Sequence, residues 1–266
     1  MHPIEQLRFV ARASGADAGL LVQEAASALG VFAGDPAGLL TAARRLLTRQ
    51  PAVGPLWWMC SRLAVSSDPR AEARALIEEL RADRTGRELA HGLPDGATVV
   101  FCGWPDLIVG SLPRRGDVQA LVIDVEGQGL SVARRLARAD VEVEEVDAAH
   151  LAGAVEEADV VLLEAAAVGS AAALTDVGSV ALAATARALG RPTWLVTGIG
   201  RRLHEPYWQA IVERTAEPDQ PAWMAPFEVL SLGLVDRLVT GDGVQLPAEV
   251  AEPAMPLAPE LLRQLR

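Results

Sequence analysis

The sequence predicts an α/β protein: a helical N-terminal domain followed by a Rossmann-like domain built on a parallel sheet. Three observations lead there. Residues 1–90 carry apolar positions at helical spacing and no strand-like run. From Thr98 onward, short runs rich in β-branched residues alternate with helical ones. Residues 159–197 read as strand, small-residue loop, helix and strand. That is a βαβ unit, which requires parallel strands.

Ile4, Leu7, Val10 and Ala11 open an amphipathic pattern that residues 14–17 interrupt. Ala18–Leu29 resumes it with Leu20, Leu21, Ala25 and Leu29, and Gly30 ends it. Asp35 with Pro36 is a helix start, and residues 38–48 carry Leu39, Leu40, Ala43 and Leu47. A turn at Gln50 and Pro51 leads to Gly54, Pro55 and the apolar residues 56–59, where Trp57 and Trp58 read as helical core. Ser67, Asp68 and Pro69 cap a helix expected over 70–86. Residues 91–96 join the two domains, 1–90 and 91–266.

Beyond the join, Thr98–Cys102 and residues 121–125, 141–146, 159–163 and 192–197 read as strands. Residues 227–229 and 234–239 add one or two more. Alternation places 141–146 near a sheet edge. Helices are expected over 130–138 and 176–189, the second closed by Gly190 and followed by Pro192. Residues 165–173 read as a loop. In doubly wound sheets ligands sit beyond the carboxyl ends of the strands. Gly103 and Trp104, residues 126–129, 164–166 and 198–202 therefore surround one crevice.

Composition narrows the function. Half the residues are apolar but only 4% are aromatic, so the core rests on Ala, Leu and Val. The net charge is −11, and all 24 basic residues are arginine. This balance excludes a nucleic-acid surface and broad attraction to anionic lipid. Two cysteines make no disulfide framework, and neither CxxC nor histidine spacing suggests a metal. No cofactor is expected. With no apolar signal core and no spanning run, a soluble cytoplasmic protein is the plain reading.

The strand ends carry the candidate chemistry. Gly127-Gln128-Gly129 follows a strand, but Val132 stands where a dinucleotide fingerprint needs a small residue, so it reads as a glycine-eased turn. No P-loop motif exists. Gly198-Ile199-Gly200 with Arg201 and Arg202 could hold an anion, although a loop with two solvated arginines is preferred. Cys102 reads as a buried, inert thiol, since no base is identified beside it. His2, His91, His150 and His204 read as surface residues. Asp124, Glu126 and Glu164 end strands facing the crevice; they suit acid–base chemistry if their pKa values split, or are simply solvated.

The order of segments resembles the initiation factor 2B alpha/beta/delta superfamily. That group includes regulatory subunits of the eukaryotic guanine-nucleotide exchange factor and isomerases of methylthioribose-1-phosphate and ribose-1,5-bisphosphate. Residues 49–58, RQPAVGPLWW, are similar to the family's RPTAVNLFWA. Residues 95–100, DGATVV, resemble its DGATILTH strand. Residues 159–189 resemble its run from the GAD motif through the Asn-Lys pair, 191–196 resemble GIPFYVV, and 227–229 resemble FDVTP. The resemblance implies a homodimer formed through the C-terminal domain.

Departures from the family pattern define what is expected of the site. The family's catalytic cysteine falls on Gly103, with Cys102 one position earlier. The GAD segment reads Glu164-Ala165-Ala166, so its aspartate is alanine. The phosphate-holding Asn-Lys pair becomes Thr175-Asp176, and the arginine of the ESRP turn is lost near Val125 and Glu126. Arg49 is kept. The resemblance thus implies a non-catalytic member that binds a partner protein, or a neutral or cationic ligand, through Arg49, Cys102, Gly103, Trp104, Glu126, Glu164, Thr175 and Asp176. The alternative is an active isomerase using Cys102 with Asp124 or Glu164. A translation-regulating subunit is a third reading.

Overall fold

The first four described helices form one layer: α1 (Ala18–Leu29), α2 (Pro36–Arg49), α3 (Gly54–Val65) and α4 (Pro69–Arg81). This computed structural model describes residues 18–216, 220–249 and 255–263. The pattern expected at Ile4, Leu7, Val10 and Ala11, its break at 14–17, and His2 lie outside them. Asp35 and Asp68 cap α2 and α4, accepting from the amides of Gly38 at 2.9 Å and Ala71 at 3.0 Å. Each is followed by a proline whose missing N–H costs nothing in a first turn. Trp57 and Trp58 are buried as expected.

The helix expected over 70–86 is two helices. Helix α4 ends at Arg81, and α5 (Thr85–Gly92) starts anew. The Asp83 carboxylate causes the break. It accepts from the Thr85 amide at 2.8 Å and hydroxyl at 2.6 Å, and from the Ile199 amide at 3.2 Å. Helix periodicity sees the first two partners but not the third, which comes from across the molecule.

Among the described residues the sheet has nine strands: β1 (Thr98–Cys102), β2 (Gln119–Asp124), β3 (Glu142–Asp147), β4 (Val160–Val168), β5 (Ala172–Asp176), β6 (Thr193–Val196), β7 (Phe227–Ser231), β8 (Arg237–Thr240) and β9 (Gly243–Gln245). Their order is β3-β2-β1-β4-β6-β8-β9, with parallel pairing as far as β8. Strand β3 is an edge, as its alternation suggests. Helices α6 (Asp106–Ser111), α7 (Gly129–Ala137), α8 (Leu151–Glu157) and α9 (Ser179–Leu189) link the strands. Helix α9 ends on Gly190 in the left-handed conformation at φ 67°. No described helix is long and apolar enough to cross a membrane.

The loop expected over 165–173 is instead sheet. Strand β4 continues to Val168 through a bulge between Ala165 and Ala167, and β5 returns antiparallel before pairing with β7. Alanine favours strands weakly. Here close approach of the backbones favours small residues: a Cβ on Gly54, at the start of α3, would lie 2.7 Å from the Ala166 carbonyl oxygen and 3.3 Å from the Ala167 Cβ. Larger side chains in this hairpin would push the helical layer off the sheet.

Three cores result. Two lie on the faces of the sheet. The third joins the helical layer to α10 (Glu205–Thr215) and to the last described segment. There Leu29, Leu56, Trp57 and Leu76 share one cluster with Tyr207, Ile211, Met255 and Leu261.

Candidate functional site

The strand order reverses between β1 and β4, and a cleft of about 670 Å³ opens over their carboxyl ends. Helix α2 and the turn after it close its far side through Arg49 and Pro51. Helix α10 contributes Arg214.

Glu164, on β4, is nearly buried at the cleft floor. Its Oε1 lies 2.8 Å from Arg201 Nη1, with side chains 9% and 8% exposed. Its Oε2 accepts the amides of Leu107 and Ile108, in the first turn of α6, at 2.8 and 3.2 Å. Burial pushes this carboxyl up; Arg201 and the two amides oppose it. Arg201 also donates to the Ala165 carbonyl at 2.5 Å. The expectation of two solvated arginines is thus corrected for Arg201, which is 7% exposed. Gly200, at φ 76°, turns the chain against Trp58 and Pro55 and sends Arg201 beneath β4.

Asp176 ends β5 over Gly103. Gly103 has φ 73°, and a Cβ there would lie 2.8 Å from Asp176 Oδ2. Burial holds the Asp176 carboxyl above its ordinary value of 3.8, and repulsion from Glu126 adds to this; the Trp104 amide and Arg201 oppose. The folded state therefore keeps this proton to higher pH than the unfolded chain does. Stability falls as pH rises from the ordinary aspartate range through the raised value. Asp176→Asn is expected to raise the melting temperature near neutral pH, with the gain shrinking toward about pH 4. Melting curves across that range check this; a variant that loses stability at neutral pH and gains it in acid contradicts it.

Asp124 accepts the Gly129 amide at 3.1 Å and so anchors the start of α7. Gly127, at φ 75°, makes the expected turn between them. Trp104 lies under the Arg135 guanidinium, 5.8 Å from ring centroid to Cζ. Arg214 rests 4.9 Å over Trp57, and burial lowers its pKa.

Of the sequence-derived candidates, Arg49, Gly103, Trp104, Asp124, Glu126, Glu164 and Asp176 line the cleft. Cys102 and Thr175 lie behind its wall. The Cys102 Sγ is 3.7 Å from the Val177 carbonyl oxygen and 3.9 Å from Ser179 Oγ. Burial pushes its thiol up to about 12. Thr175 is buried and donates to the Glu228 carbonyl at 3.4 Å. Sequence reasoning missed Asp106, Arg201 as a buried partner, and Arg214. The glycines flanking Ile199 were the available signal for Arg201; Arg214 sits in an ordinary amphipathic helix and gave none. Among the described residues, five carboxylates and three guanidiniums line the cleft: Asp106, Asp124, Glu126, Glu164 and Asp176 against Arg49, Arg201 and Arg214.

No protein-family model and no curated protein sequence matches the chain. Solved structures do match. The translation initiation factor eIF-2B of Pyrococcus horikoshii OT3 superposes with a TM-score of 0.77 at 14% identity, over 92% of this chain and 97% of that one. The chain has the fold of the initiation factor 2B subunits. A second initiation factor 2B structure, the tetrameric eIF2B-beta2-delta2 complex from C. thermophilum, gives 0.70 at 16% identity, covering 92% and 91%. The eIF-2B delta subunit from A. fulgidus gives 0.61 at 17%, covering 98% and 91%. The initiation factor 2B fold thus spans both the helical layer and the sheet.

Proposed function

We propose that this chain is a non-catalytic initiation factor 2B-like protein whose cleft binds a neutral or cationic small molecule or a partner's side chain. The carrying observation is a cleft without a thiol: Cys102 faces away, buried among Val177 and Ser179. Ala166 lines the wall where the resemblance places a carboxylate. An acid and a base each supply roughly 10² to 10⁴ in rate, so an isomerase without that thiol and that carboxylate would retain little turnover. Of the groups the alternative isomerase would pair with Cys102, Glu164 is committed to Arg201 and Asp124 to the Gly129 amide. Five carboxylates against three guanidiniums set the local field against a sugar phosphate.

The test is ribose 1-phosphate, in calorimetry and in a turnover assay. The expected result is no binding heat and no rate above buffer, with wild type and Cys102→Ala indistinguishable. Turnover that disappears in Cys102→Ala would instead establish the isomerase. We further propose a homodimer through the sheet-bearing half of the chain. The oligomeric solved structure with this fold supports association, and light scattering after size exclusion tests it: a monomer overturns it.

A further inference from the structure

A second groove, of about 570 Å³, crosses the opposite, N-terminal edge of the parallel strands. Among the described residues, three guanidiniums line it. Arg187 comes from the last turn of α9, Arg191 follows the Gly190 cap, and Arg237 opens β8. Each donates to a backbone carbonyl: Arg187 to Gly233 at 2.5 Å, Arg237 to Asp236 at 2.8 Å, and Arg191 to Glu156. None forms an ion pair with a described residue, although seven such pairs exist elsewhere among the described residues. A guanidinium has five N–H donors, so each carbonyl bond orients the group and leaves donors for a ligand.

The two carboxylates in the groove do not cancel this charge. Asp159 accepts the Thr98 amide at 2.9 Å, and Asp236 accepts the Thr193 amide at 2.9 Å. Both serve to fix strand starts. Three cations against two anions leave the groove at +1, in a chain whose net charge is −11. The cleft at the other edge has the reverse balance, three cations against five anions. The two openings are therefore opposite in sign.

We propose that this groove binds a small multivalent oxyanion, either a phosphoryl compound or a polycarboxylate. Guanidinium forks match both chemistries through paired N–H donors. A singly charged anion would gain little, because one exposed pair is worth almost nothing in salt. A long polyanion is disfavoured too. Fields are screened over about 8 Å at physiological salt, so a polymer leaving the groove would meet the acidic remainder of the surface. The proposal is independent of how the cleft is read.

Calorimetry at physiological ionic strength with pyrophosphate, citrate and acetate tests it. One site is expected for pyrophosphate or citrate, and none for acetate. Tighter binding of pyrophosphate assigns the phosphoryl class, and tighter binding of citrate the polycarboxylate class. Arg237→Ala, whose side chain bonds its neighbour's carbonyl alone among the described residues, is expected to weaken binding about tenfold. Arg187→Ala/Arg237→Ala should weaken it about a hundredfold. Arg49→Ala, in the cleft, should leave it unchanged. Melting of each unliganded variant verifies folding, and Arg237→Ala alone decides if the double variant fails to fold. No heat with either multivalent anion, unaltered affinity in Arg237→Ala, or loss in Arg49→Ala overturns the proposal.

Discussion

Arg201→Ala is expected to cost about 3–5 kcal/mol of unfolding free energy, because it leaves Glu164 charged and buried without its partner. The pair spans 2.8 Å with both side chains nearly sealed from water, so solvent cannot replace the guanidinium. Two backbone amides would still hold Oε2, but Oε1 would face a low-dielectric floor. Glu164→Gln in the same chain should restore much of the loss. It removes the orphaned charge and keeps a carbonyl oxygen for the Leu107 and Ile108 amides. The pH dependence has a definite sign. Without Arg201, burial raises the Glu164 pKa further, so the single variant is weakest at high pH and recovers as the medium turns acid. Urea unfolding at two pH values measures both effects. A loss under about 1 kcal/mol, flat with pH, would mean that Glu164 is already neutral in the native protein.

Trp57→Ala is the second large effect, at about 3–5 kcal/mol by urea unfolding. Trp57 is fully buried, its ring centroid 5.5 Å from that of Tyr207 on α10, and its Nε1 donates to the Pro51 carbonyl at 3.0 Å. Truncation empties a cavity between α3 and α10 and strips the Pro51 carbonyl of its donor. It also removes the face on which Arg214 rests. Since Pro51 and Arg214 both line the cleft, the damage reaches the ligand site. Trp57→Phe keeps a ring but not the N–H. It should lose roughly 1–2 kcal/mol, the share of an unmade buried hydrogen bond plus a smaller void. Equal losses for Ala and Phe would show that the hydrogen bond, rather than the ring, dominates this site.

What the sequence could reveal follows the range of the forces involved. Capping and periodicity are local, so Asp35, Asp68 and Gly190 announce helix ends that the structure keeps. The β-branched runs announce the parallel strands, and the acidic alternation of β3 announces an edge. The failures all involve partners far along the chain. Ala166 and Ala167 lie against Gly54 at the start of α3, and Gly169 lies against Trp208 of α10, so a small-residue run looks like a loop until those helices are in place. The break at Asp83 depends on Ile199. Arg201 seemed solvated because its counter-charge, Glu164, lies two strands earlier in the chain. The cleft residues that end strands were legible, and Arg214 on α10 was not. Which side chains face into the cleft was not legible either, because Cys102 and Thr175 are turned by sheet register toward Ser179 and Glu228.

The cluster around Trp57 has a consequence for synthesis. Its walls come from the earliest described helices and from Tyr207, Ile211, Met255 and Leu261, near the other end of the chain. A ribosome that has made only α1 to α4 has produced helices that pack on one another but whose faces toward Tyr207 and Leu261 are still uncovered. Those faces stay open until α10 and the segment around Leu261 emerge. The nascent chain therefore waits, half wetted, for its own tail.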